Sequence, residues 1–126
     1  MRKLSVFLAV ALFAIVLSTT SCSKGFGVKL DKTTYAPGDK ITVTYTADPT
    51  WDDNAWIGII PSATPHGQES DNDAVDISYQ YIHKNASGTF EFTAPTEPGK
   101  YDIRMNDSDD ATKGVEIASA TFEVAE

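Results

Sequence analysis

This chain of 126 residues reads as an all-β sandwich of about seven strands. Three features of the sequence predict it. Short runs of alternating apolar and polar residues recur through residues 28–126, divided by turn-forming clusters. One run, Asn54-Ala-Trp-Ile-Gly-Ile-Ile-Pro61, is apolar in both phases, as a central strand covered on two faces should be. No stretch of residues 28–126 carries a helical hydrophobic period.

The elements follow in order. Val28 to Asp31 begins the first strand, and Tyr35-Ala-Pro-Gly-Asp39 is a turn, with proline presetting one φ and glycine accepting a positive one. Ile41-Thr-Val-Thr-Tyr-Thr46 is the cleanest period-two strand, with Ile41, Val43 and Tyr45 on one face. The loop from Asp48 to Asn54 leads into the central strand. Residues 61–76 form the longest irregular stretch, a length at which a loop is functional or mobile. Strands are predicted at Ile77–Ile82 and Thr89–Thr93, around a turn at Lys84–Gly88. After the turn Pro95–Gly99, Tyr101, Ile103 and Met105 alternate with Asp102, Arg104 and Asn106. Arg104 is therefore expected on the outward phase, paired with Asp102 on a solvated face. In the last strand, Val115 and Ile117 are out of phase with Ala120, Phe122 and Val124, which predicts a β-bulge near Ala118 or Ser119.

This layout is that of an immunoglobulin-like antiparallel sandwich. Tyr101, at the opening of the penultimate strand, suits a tyrosine corner, and Trp56 suits the core tryptophan between the sheets. One cysteine permits no disulfide within the chain, so Trp56, Phe90, Phe92, Tyr101 and Phe122 are expected to hold the sheets together.

The first residues read as an address. Arg2 and Lys3 precede an unbroken apolar run from Phe7 to Leu17, shorter than the roughly 20 residues a spanning helix needs. Ser18-Thr-Thr-Ser21 and Cys22 follow, and this placement of a lone cysteine resembles the lipobox of bacterial lipoproteins. The resemblance implies that residues 1–21 are a cleaved signal peptide and that Cys22 carries a fatty-acyl group such as palmitate. Residues 22–27 are then a tether and 28–126 the domain. Thr19 departs from the aliphatic residue usual at its position, and ordinary cleavage near Ser21 with a free thiol is the other reading. Removing residues 1–21 takes away Arg2 and Lys3, leaving eight basic against eighteen acidic side chains, a formal charge of −10. Such a surface repels phosphates, so no nucleic-acid partner is expected, and membrane contact is expected through the lipid.

Tyr35-Ala-Pro-Gly-Asp-Lys-Ile-Thr-Val, Ala-Trp-Ile-Gly-Ile-Ile-Pro, Tyr79-Gln-Tyr and Pro-Gly-Lys-Tyr-Asp-Ile-Arg together resemble immunoglobulin-like modules of exported bacterial proteins. These carry a Trp-Ile-Gly strand and a late Pro-Gly-x-Tyr strand. The resemblance spans about residues 29–125. It implies the fold and, for function, a binding or spacer unit.

Candidate site residues are few. No Gly-x-Ser-x-Gly, phosphate loop or zinc motif occurs. The loops at 48–54 and 106–110 should emerge at one end of the sandwich and bring Asp48, Asp52, Asp53, Asp107, Asp109 and Asp110 to one rim. Such a rim is either a solvated acidic edge or a structural calcium site, since calcium takes 6–8 oxygen ligands. Trp51, in the loop beside Asp52 and Asp53, is a candidate contact for a sugar or protein, or else folds back over the core. His66, in a Pro-His-Gly turn near Glu69, Asp71 and Asp73, is a candidate ligand or an exposed loop histidine. The expected function is a lipid-anchored binding or accessory module of the bacterial cell envelope, without catalysis, with a protein or glycan partner. The alternatives are a carbohydrate-binding module and a small extracytoplasmic hydrolase.

Overall fold

The computed structural model describes residues 25–126; the signal peptide expected at 1–21 and the acylation expected at Cys22 lie outside the described residues. Among the described residues the strands are β1 (Gly27–Leu30), β2 (Thr34–Tyr35), β3 (Lys40–Thr46), β4 (Trp56–Pro61), β5 (Ser78–Tyr81), β6 (Ser87–Thr93), β7 (Gly99–Asn106) and β8 (Glu116–Val124), with one helix, α1 (Glu69–Asp73). They form two sheets, β1-β3-β6 and β2-β8-β7-β4-β5. All strand pairs are antiparallel except β2 with β8, which run parallel. The chain crosses from one sheet to the other between β1 and β2. That crossing adds the short strand Thr34–Tyr35 to the seven expected, because two residues leave no periodic trace.

The alternation seen in the sequence builds the core. Ile41, Val43 and Tyr45 of β3 face Ile57 and Ile59 of β4, Ile103 and Met105 of β7, and Phe122 and Val124 of β8. Two tyrosines close the ends. The Tyr101 hydroxyl donates to the Glu97 carbonyl at 2.7 Å while its ring stacks on Phe122 at 5.7 Å, the tyrosine-corner geometry. The Tyr35 hydroxyl donates to Asp31 Oδ1 at 2.7 Å, and its ring meets Phe122 edge-on. The turn before β3 closes with Asp39 N–H donating to the Ala36 carbonyl at 3.0 Å, and Gly38 takes the φ of +80° that Pro37 sets up.

Three expectations need correction. Trp56 is buried, but it is absent from the inter-sheet core, which takes Ile57 and Ile59 from β4 instead. It lies on the opposite face of the larger sheet, in register with Asn106. Arg104 does occupy the outward phase of β7, yet it is fully buried, because residues 62–76 cross that face as a cover. The irregular stretch thus contains a one-turn helix, too short to show a period. Third, the bulge falls at Ile117: Met105 pairs with Ala118 and Asn106 with Glu116, leaving Ile117 as the extra residue. Ile117 and Ala118 both pack on the core, and Glu116 turns to the covered face.

Candidate functional site

The outer face of the five-stranded sheet carries a line of buried polar residues on β7: Asp102, Arg104 and Asn106. Strand alternation puts them there, beside Trp56, Gly58 and Ile60 of β4. Gly58 is needed for a packing reason. A Cβ at this position would stand 2.7 Å from Trp56 Cζ3 and 2.7 Å from the Ser78 carbonyl oxygen, so only glycine lets the indole lie down on the sheet.

Arg104 joins the cover to the sheet. Its Nη2 and Nε donate to Asp102 Oδ2 at 2.7 and 2.9 Å. Nη1 donates to Asn72 Oδ1 at 2.8 Å and the Pro65 carbonyl at 3.1 Å, and Nη2 to the Thr64 carbonyl at 2.8 Å. A loop with little apolar surface is held here by its own carbonyls, which a planar guanidinium can satisfy several at a time. Burial alone would raise the Asp102 carboxyl. Hydrogen bonds from Ser62, Thr121 and Arg104, with the guanidinium charge, outweigh it and hold Asp102 below the usual carboxylate range. Because Arg104 fixes Asn72 Oδ1, the Asn72 amide donates to Asn106 Oδ1 at 2.9 Å and Glu116 Oε1 at 3.1 Å. Asn106 Nδ2 is then left without a partner among the described residues.

His66 belongs to this network. Nδ1 lies 2.6 Å from Glu116 Oε2, and Nε2 lies 3.2 Å from Arg104 Nη2. The Nδ1–H tautomer donates to the carboxylate, and Nε2 faces the guanidinium, whose two Nη2 hydrogens already go to Asp102 and Thr64. Although half its side chain is exposed, the ring serves as part of the cover's fastening.

At the other end of the cover, Glu69 is buried with Oε2 accepting from Trp56 Nε1 at 3.0 Å. Burial pushes its carboxyl up to about 7, with a hydrogen bond to Asp109 and the charges of Asp73 and Asp109 adding to the shift and Trp56 opposing it. Carboxylate oxygens of Glu69, Asp73 and Asp109 lie within 4.8 Å of one another. Burial, then Asp73 and Asp109, also raises Asp76. The Tyr81 hydroxyl donates to Asp109 Oδ2 at 3.0 Å, which pushes the phenol up to about 12. From Tyr81 an aromatic row runs along the sheet margin, with Tyr79 5.3 Å and His83 6.0 Å away, ring centre to ring centre. Tyr79 in turn meets the Trp56 ring edge-on.

Of the six acids expected on one rim, three come together. Asp52, Asp107 and Asp110 line a depression of about 240 Å³ with Trp51, Ser108 and Lys113. Asp109 instead faces α1 and β5. Asp48 and Asp53 do not line the depression. Several of these carboxylates close their own loops. Asp48 Oδ1 accepts from the Thr50 N–H and hydroxyl, and Asp107 Oδ1 from Val115 N–H. Asp110 Oδ1 accepts from the Thr112 hydroxyl and N–H and from Lys113 N–H, which lowers its carboxyl. Trp51 is half-buried against the core and meets Phe26 at 5.0 Å.

The sequence places Glu69 and Asp73 beside His66, but the structure groups them with Asp109 and pairs His66 with Glu116; Asn72 escapes a sequence reading because it sits in a segment without pattern. The signal for it lies next door: a central strand apolar on both faces requires a cover, and whatever covers β4 also covers β7. No protein-family model matches the chain, and no curated protein is significantly similar to it.

Proposed function

We propose that this chain is a non-enzymatic binding or accessory module, exported and held at a bacterial cell envelope by a lipid on Cys22. The observation that supports the binding reading is the margin at β5. Val75, Ile77 and Tyr79 are exposed there, at 42%, 48% and 49%, beside Glu69, Asp73, Asp76 and Asp109. An apolar and aromatic strip flanked by charge is the composition of a contact surface rather than of a merely solvated face. The rings of Tyr79 and Tyr81 next to carboxylate acceptors also support the carbohydrate-binding alternative, with the contact moved from Trp51 to these tyrosines.

Two experiments test the proposal. Growth with an alkyne fatty acid should label the wild-type chain and leave Cys22→Ser unlabelled and unprocessed; an unlabelled soluble wild type would remove the anchor. Crosslinking in intact cells should then recover a protein partner, whereas a glycan-array signal without one would favour the carbohydrate reading.

The acidic group has its own expected result. Glu69 takes up a proton more readily in the folded chain, at about 7 against 4.5. Its contribution to stability is complete below about 4.5 and is lost as pH rises towards 7. The melting temperature should fall across that window, and Glu69→Gln should flatten the fall. Calcium, one of the two readings of the acidic rim, would at Glu69, Asp73 and Asp109 replace the shared proton. A rise in melting temperature with millimolar calcium at pH 8, lost in Asp109→Asn, would keep the calcium reading. Identical melts in calcium and chelator would leave proton sharing as the whole account.

A further inference from the structure

We infer that the open edge of β5 accepts an extended basic segment of a partner protein as a sixth strand of the larger sheet. The inference rests on the binding-module reading and adds the place and chemistry of contact.

The two sheets end in four edge strands, β1, β6, β2 and β5. An edge strand presents unpaired N–H and C=O groups to any passing chain, and proteins ordinarily blunt it. Three of these edges are blunted. β2 has two residues and runs into Ala36-Pro37. β1 carries an exposed lysine, Lys29. β6 carries exposed Glu91, which pairs with Lys40 at 3.6 Å, and the Glu91 carbonyl accepts from Gln80 Nε2 at 2.8 Å. The fourth, Ser78-Tyr-Gln-Tyr81, has no charge and no proline, and β4 is its one strand partner among the described residues.

Its phase is set by Ile82 N–H donating to the Ala55 carbonyl at 2.8 Å. With Gln80 opposite Ile57 and Ser78 opposite Ile59, residues 78, 80 and 82 pair inward. The N–H and C=O groups of Tyr79 and Tyr81 therefore point away from the sheet. A strand laid along them would also cover Val75, Ile77 and Tyr79, three of the four large exposed apolar residues among those described.

Charge selects the occupant. Asp109 is tied to β5 by the Tyr81 hydroxyl, and Asp73 and Glu69 stand within 4.8 Å of it. Lysine or arginine side chains on the covered-face side of the incoming strand would meet the exposed carboxylates of Asp73 and Asp109 and the tyrosine rings. A second copy of this chain would bring the same acids to the same place, and the chain is already at −8. A basic partner is complementary where a copy is not.

The probes are two synthetic peptides, one alternating Lys and Val and one alternating Glu and Val, titrated against the full chain. The Lys/Val peptide should bind at least about tenfold more tightly. Tyr79 and Tyr81 amides should become protected from exchange on binding. Tyr79→Pro removes an N–H that the sheet does not use, so it should keep the fold, with a melting temperature lowered no further than in Tyr79→Ala, which loses the same ring contacts, and lose at least about tenfold in affinity relative to Tyr79→Ala. Should that variant fail to fold, Tyr79→Lys, which adds a repelling charge at the edge, should weaken the Lys/Val peptide equally. Binding without protection at Tyr79 and Tyr81, or unchanged in the variants, would overturn the edge. Equal binding of both peptides would overturn its basic preference. A dimer that Tyr79→Pro dissolves would give the edge to a second copy and overturn the proposed partner. No peptide binding, with a cellular partner still crosslinked by Tyr79→Pro, would sink the edge and leave the module reading standing.

Discussion

Arg104→Met should lower the unfolding free energy by about 3–5 kcal/mol, measured in a urea titration. The side chain is fully buried, and it is the charged partner of an equally buried Asp102. Methionine matches much of its length but leaves Asp102 without the guanidinium and the carbonyls of Thr64 and Pro65 without their donor. Arg104→Lys should fare little better, because one ammonium cannot reach Asp102, Asn72 and both carbonyls together. Since whole domains are stable by about 5–15 kcal/mol, the loss would leave the fold marginal. A loss under about 1 kcal/mol would mean the guanidinium is solvated and the cover does not close over it.

Trp56→Ala should cost a similar amount, about 3–5 kcal/mol, from the cavity left beneath α1. Trp56→Phe separates the ring from its donor. It keeps most of the apolar contact with Gly58 and Tyr79 but deletes the hydrogen bond to Glu69. Because that bond is what opposes the rise of the Glu69 carboxyl, Trp56→Phe should carry the titration of Glu69 higher. Following the Glu69 carboxyl by NMR through a pH series would show the shift. An unmoved titration would put the indole N–H elsewhere.

The inter-sheet core is legible in the sequence because period-two alternation reports a half-buried strand directly: Ile41, Val43 and Tyr45 all face inward. The tyrosine corner and the end of the sandwich where the acidic loops meet are legible too, through turn chemistry and strand order. Trp56 is not. In Trp56-Ile-Gly-Ile-Ile60 both phases are apolar, and a two-fold period cannot say which phase faces the partner sheet. For Arg104 the alternation gives the correct phase and the wrong environment, because the cover is held by carbonyls and polar side chains that leave no hydrophobic signature. The acidic rim fails at Asp109 for a related reason: its direction is set by α1 and Tyr81, both remote in sequence.

The fastening of the cover by hydrogen bonds rather than by apolar area has a calorimetric consequence. Exposing apolar surface raises heat capacity, and exposing polar surface lowers it. Release of residues 62–76 uncovers Asp102, Arg104, Asn72 and Asn106, together with Trp56 and Ile60, so the two contributions partly cancel. The sandwich beneath uncovers isoleucine, valine and phenylalanine and must show the full positive increment. The free energy of opening the cover should therefore run nearly straight with temperature, while that of the sandwich is strongly curved. On cooling, the sandwich loses hydrophobic driving force and the cover keeps most of its own. The two layers of this small domain thus follow different thermal laws, although Arg104, Asn72, His66 and Glu69 tie one to the other.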